Sequence, residues 1–435
     1  MRLGTSRLPG LLVTEHEIGV PLDHGDPGGE QISVYARELV ATRKRNHALP
    51  WLVYLASGPG VRAPRPTGRG GWLGRALADH RVLLLDQRGT GRSTPQTRQS
   101  LARVGSPGAQ ARRLMHFRAD SIVRDAEILR HELLGDGPWS LLGQSYGSFV
   151  ATTYLSLHPE SLRQVLLTGG LPPLSGSAQH VYTATFDRVR QHWLRLLDRY
   201  PDDGPRFDRV ADHLAGHDVR LPSGDPLTVL RLQSTGMVLG YTDGLESMHY
   251  LLETAWDGDE LSDEFLVAVE GSTSFVRRPL HALLHESIYC AGAASRWAAQ
   301  RVRNDLPHLS PDARPLQPTG EMIFPWMFET DGALRPLREA AELLAAYDGW
   351  PTLYDPVRLA ANTVPVAAAI YHDDMYVESS FSLESARRIG NVRPWVTKEF
   401  SHDGLRSDAR VIDRLLELAA ADVAPAVPVQ GSADG

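Results

Sequence analysis

The chain has 435 residues, 42% hydrophobic and 22% charged, with a net charge of −7 and a pI near 6.2. The composition is ordinary for a globular protein, and the length is enough to bury a large core. The mild acidity argues against a general nucleic-acid binder, which carries a basic excess.

The N-terminus, MRLGTSRLPGLLVTEHEIGV, has no continuous apolar segment, because Pro9 and Gly10 interrupt it. No signal peptide is expected. No stretch approaches 18 uninterrupted apolar residues, so no membrane span is expected, and a cytoplasmic location is the default. Residues 12–42 read as β-rich. VTEHEIGVPLDH and EQISVYARELVA flank the turn-forming GDPGG, as in a hairpin. Short apolar runs then follow at 51–56, 81–86, 139–143 and 163–168, the pattern of strands buried on both faces. Between them, Ile122, Ala126, Leu129 and Leu133 recur at helical spacing. Strands alternating with helices imply a mostly parallel sheet.

From about 172 to 362 the pattern is helix after helix, broken by proline-rich stretches such as LPHLSPDARPLQP. Strand-like runs return at 364–372 and 394–400, and a final helix presents Val411, Leu415, Leu416 and Ala419 on one side. The expected organisation is an α/β core at 1–171, a helical cap at 172–362 and the rest of the core at 363–420. The small, polar tail at 421–435 is expected to be disordered.

Gly143-Gln144-Ser145-Tyr146-Gly147 is the strongest chemical signal. It fits G-x-S-x-G between a buried strand and a helix, the setting of a nucleophile elbow. The glycines remove side chains that would crowd the turn, and the strain holds the Ser145 hydroxyl out above the sheet. The N–H of Tyr146, the residue after the nucleophile, is one expected oxyanion donor. Gly58, in the loop Ser57-Gly58-Pro59-Gly60 after the strand at 51–56, is positioned to supply the other. The lone cysteine, Cys290, permits no intramolecular disulfide and has no catalytic signature around it.

A serine nucleophile needs a base and an acid, in the chain order Ser, acid, His. His402 is the last of seventeen histidines and follows the strand at 394–400. Asp373 and Asp374 follow the strand at 364–372, and spacing alone does not choose between them.

These segments resemble the prolyl aminopeptidases (proline iminopeptidases) of the α/β-hydrolase superfamily, in their longer bacterial form. Leu55 to Gly60 resembles the family's oxyanion loop. Asp86-Gln87-Arg88-Gly89-Thr90-Gly91-Arg92-Ser93 matches its Asp-Gln-Arg-Gly-x-Gly-x-Ser segment, and Asp373-Asp374-Met375 resembles its acid loop. The resemblance implies an α/β-hydrolase fold with a mostly parallel central sheet and a helical cap. It favours Asp374, the aspartate immediately before Met, as the acid. It also implies carboxylates in the cap that bind a free N-terminal ammonium. Glu286, in His285-Glu286-Ser287-Ile288-Tyr289, is the leading candidate. Glu321 is the second, with the apolar residues at 322–326 as a wall for a pyrrolidine ring.

The implied activity is release of an N-terminal residue, preferably proline, from short peptides through an acyl-enzyme at Ser145. An esterase or amidase on a small non-peptide substrate, and a non-catalytic binding protein on the same scaffold, are the alternatives. No metal or organic cofactor is expected, and neither nucleic acid nor membrane is expected as a partner.

Overall fold

The computed structural model describes residues 2–421. The expected tail therefore lies, from residue 422 onward, outside the described residues. The strands are β1 (Arg2–Leu8), β2 (Leu11–Pro21), β3 (Gln31–Ala41), β4 (Trp51–Leu55), β5 (Arg81–Asp86), β6 (Trp139–Gln144), β7 (Leu162–Thr168), the two-residue β8 (Trp256–Asp257) and β9 (Glu260–Leu261), β10 (Val366–Tyr371) and β11 (Val392–Thr397). Nine of them form one sheet in the order β1-β2-β3-β5-β4-β6-β7-β10-β11. From β5 to β11 neighbouring strands run parallel, and β1, β2 and β3 extend the sheet as an antiparallel edge.

The apolar runs become these strands because helices cover both faces of the sheet. β6 and β10 are buried along their whole length. On one face, Leu52, Leu84, Leu142, Leu166 and Ala369 pack against helices Gly71–Asp79 and Arg410–Ala420. On the other, Val53, Leu83, Leu141 and Val165 pack against Ala119–Leu134 and Tyr146–Leu157. The expected hairpin is present, with β2 and β3 paired from Leu11↔Ala41 to Pro21↔Gln31. β1 was not anticipated. It is an edge strand with exposed residues from Arg2 to Arg7, so it carries no burial pattern to read.

The Asp86–Ser93 segment, which begins at the last residue of β5, is held by ion pairs of buried Asp86 and Arg88. Asp86 accepts from the N–H of Ala63 and, through both carboxylate oxygens, from the Arg65 guanidinium at 2.8 and 2.6 Å. Buried Arg88 donates to Asp125 at 2.6 and 2.5 Å and to the carbonyls of Pro21, Leu22 and His116. Each charge is paired and hydrogen-bonded, which makes its burial tolerable.

Between β7 and β10 the chain is mainly helical, including the 22-residue helix Ala178–Arg199. Among the described residues, no helix is long and apolar enough to cross a membrane.

Candidate active site

Ser145 joins the end of β6 to helix Tyr146–Leu157, with φ +57° and ψ −119°. An L-residue held there stores strain, which the surroundings must over-determine. They do: the Ser145 N–H donates to the Thr168 carbonyl at 2.8 Å, tying the turn to the end of β7. A Cβ at residue 147 would lie 2.1 Å from the Leu55 carbonyl oxygen, and one at residue 143 would lie 2.5 Å from the Gly147 carbonyl oxygen. The two glycines thus let the elbow sit against the end of β4.

His402 lies in the loop after β11. Its Nδ1 is 2.7 Å from Oδ2 of Asp374. The other oxygen of Asp374 accepts from the N–H groups of Tyr376 and Val377 at 2.8 and 3.0 Å. Gln144 donates to the His402 carbonyl at 2.9 Å, and the Tyr376 ring stands 4.6 Å from the imidazole. Asp373 points elsewhere, to His372 at 2.7 Å and Arg195 at 3.1 Å. Burial opposes its ionisation, but His372 and Arg195 outweigh that and hold its carboxyl down at about 2. For His402, burial disfavours the charged ring, yet Asp374, Glu321 and Asp403 more than compensate. Its pKa lies above the ordinary imidazole value.

Ser145 and His402 line one cleft of about 530 Å³ with Ser57, Gly58 and Glu321. Gly58 has φ +61°. Tyr146 begins the helix after Ser145, so its N–H belongs to the first turn, while its side chain is buried behind the site.

The two glutamates part company. Glu321 reaches the cleft, where His281 and His285 face it at 3.5 and 3.7 Å. Burial raises its pKa, but the imidazoles of His285, His281 and His402 outweigh burial and keep the carboxyl well below the usual range. Glu286 does not reach the cleft. Its carboxylate accepts from the N–H groups of Ala298 and Ala299 at 3.1 and 2.9 Å, capping helix Ala298–Asn304. Burial pushes its carboxyl up. The expectation for Glu286 is therefore corrected: its carboxylate is used up on a helix N-terminus, where orphan N–H groups need an acceptor. The expected apolar wall is corrected too. Met322, Ile323 and Phe324 are buried in the core, and the cleft is lined instead by Val61, Trp72, Val238, Tyr241 and Tyr376.

Residues 50–212 match the model of the alpha/beta hydrolase fold. A proline iminopeptidase of Aeromonas sobria is 50% identical over 414 residues, covering 94% of this chain and 97% of the relative. The chain belongs to the proline iminopeptidase family. A second proline iminopeptidase, from Aspergillus aculeatus, is 35% identical and covers 91% of each chain. A tripeptidyl aminopeptidase of Streptomyces lividans is 26% identical over 36% of this chain.

In this proline iminopeptidase family member, His281 lines the cleft and His285 stands behind it against Glu321, and neither carries a signal of its own in the sequence. His281 and His285 stand four apart, a spacing that puts both on one side of a helix. The H-x-x-x-H signal was available but has no meaning until Glu321 is seen opposite. His281 is almost fully enclosed, and burial depresses its pKa to about 3.

Proposed function

We propose that the chain hydrolyses the first peptide bond of short peptides with a free N-terminus, with proline preferred in first position, through an acyl-enzyme on Ser145. The observation that carries this reading is the Glu321 carboxyl group, which lines the same cleft as Ser145 and His402. A serine hydrolase of esters needs no such group, whereas an aminopeptidase must hold a cation beside its scissile bond.

His402 accepts the Ser145 proton at Nε2 while Asp374 holds the proton on Nδ1 and stabilises the imidazolium. The Ser145 oxygen attacks the carbonyl carbon. Negative charge on the carbonyl oxygen is met by the N–H groups of Gly58 and Tyr146. His402 returns its proton to the leaving amine, and a water molecule repeats the sequence to free the acid. Glu321 binds the ammonium, which in proline is a ring nitrogen. Tyr241, Tyr376 and Val238 offer the ring an apolar wall. In this reading the helical segment 172–362 acts as a cap over the core segments 1–171 and 363–420. A cytoplasmic site of action, with one cysteine and so no intramolecular disulfide to form, belongs to the same proposal.

The test is kcat/KM on proline, alanine and leucine 4-nitroanilides, on N-acetylproline 4-nitroanilide and on an acetate ester. Fast cleavage of the free-amine proline substrate, lost on acetylation, is expected. Good cleavage of the ester with poor cleavage of every anilide overturns the reading.

The pH profile supplies a second check. The base must be neutral to accept a proton, and the carboxylates facing His402 raise its pKa. The acid limb of kcat/KM is therefore expected above the ordinary imidazole value of about 6.5. In Glu321→Gln, with one of those carboxylates neutralised, the limb moves to lower pH. A limb that stays in place in the variant contradicts the account of His402 given above.

A further inference from the structure

Three side chains outside the Ser145–His402–Asp374 set converge at the wall of the cleft, two of them lining it. His281 belongs to helix Pro279–Leu284 and His285 follows it directly, with the His285 N–H bonded to the His281 carbonyl at 3.0 Å. Their rings stand 4.9 Å apart. Glu321 arrives from a separate segment. Nε2 of His281 is 3.5 Å from one carboxylate oxygen, and Nε2 of His285 is 3.7 Å from the other. One ligand atom from each of the three lies within 4.8 Å of the other two.

These separations are long for hydrogen bonds. The two contacts go to different carboxylate oxygens, and one ligand atom from each residue lies within 4.8 Å of the others, so the three would draw together by small side-chain rotations to reach the tetrahedral edge of a zinc-class ion, about 3.4 Å for bonds of about 2.1 Å. His281 adds an independent observation. It is 1% exposed, yet neither of its ring nitrogens makes a hydrogen bond of good geometry, its contact with the Pro59 backbone falling short of one. Buried imidazoles are normally satisfied, and this one faces a carboxylate without bonding to it. His285 has the support a metal ligand requires. Its Nδ1 is 2.9 Å from the Tyr182 hydroxyl. With the proton on Nδ1, that contact fixes the ring and leaves Nε2 free to ligate. Gly60 lets this helix approach the loop at 57–60 closely, since a Cβ there would lie 2.5 Å from that of Leu280.

We propose that His281, His285 and Glu321 form a binding site for a divalent transition-metal ion of the zinc class, and that this ion and the substrate ammonium exclude each other. Two imidazoles and one carboxylate suit zinc, cobalt or nickel better than magnesium or calcium, which take oxygen ligands. Glu321 and His281 both line the cleft, so a fourth ligand position faces the substrate space. The mutual exclusion rests on the ammonium role proposed for Glu321. The metal site itself does not.

The test begins with the full chain freed of metal by a chelator. Equilibrium dialysis against Zn²⁺ is expected to give one ion per chain, and Co²⁺ is expected to give the intense visible bands of a four-coordinate site. Glu321→Gln and His285→Ala should each weaken binding at least about tenfold, and Tyr182→Phe by about 10- to 100-fold, with circular dichroism showing each variant folded. The half-buried His213 and exposed His217, with rings 4.2 Å apart, are the competing source of affinity. Loss of binding in His217→Ala but not in Glu321→Gln overturns the proposal, as does no stoichiometric binding. In the assay, Zn²⁺ is expected to raise KM for proline 4-nitroanilide and leave kcat unchanged. Bound metal with an unchanged KM overturns the exclusion. If the anilide is not a substrate at all, the dialysis still decides the site.

Discussion

Ser145→Ala is expected to lower kcat on proline 4-nitroanilide by about 10,000-fold or more, with KM little changed. The substitution removes one oxygen and leaves the strained turn, the cleft and the oxyanion donors in place. The remaining rate comes from orientation and from those N–H groups alone. A serine-directed phosphonate should label the wild-type chain once and leave the variant unlabelled. Substantial activity in the variant, measured on protein free of wild-type contamination, would remove Ser145 from the mechanism. Far-UV circular dichroism separates that result from misfolding.

Glu321→Gln is expected to have the next largest effect, and a selective one. Its carboxylate is the partner proposed for the substrate ammonium. Removing one member of a buried, hydrogen-bonded charge pair costs about 2–5 kcal/mol, or roughly 30- to 5,000-fold in affinity. The loss should appear in kcat/KM for every free-amine anilide. Cleavage of an acetate ester, which has no ammonium, should change little. Equal losses on both substrates would mean that Glu321 acts through the position of His402 and not through the substrate. No loss on either would move the ammonium site elsewhere.

Much of this arrangement is legible in the sequence, and the exceptions have physical reasons. The middles of β4 to β7 and the whole of β10 are buried on both faces, so each reads as a short apolar run. The elbow is legible because close approach to Leu55 admits only glycine at residue 147. β1 is not, because an exposed edge imposes no alternation. The sequence alone does not distinguish Asp373 from Asp374. Adjacent residues in a loop point apart, and which one meets His402 depends on how the Tyr376 and Val377 amides hold a carboxylate. The place of Glu286 is illegible for a similar reason. A carboxylate in a cap helix can face a cleft or cap the next helix, and only the position of Ala298 decides. His281 and His285 become meaningful only across the 35 residues that lie between the second of them and Glu321.

The central sheet is closed by a long-range step: β7, ending at Thr168, pairs with β10, which begins at Val366. Such a closure must overcome the entropy of a loop of about 200 residues before its contacts stabilise anything. The order of synthesis therefore matters. A chain still emerging from the ribosome carries Ser145 long before it carries Asp374 or His402. Throughout that interval the serine has neither its base nor the parallel neighbour that completes the sheet beside it. With the roles proposed for Ser145, Asp374 and His402, the capacity to cut is acquired only near the end of the chain's own translation.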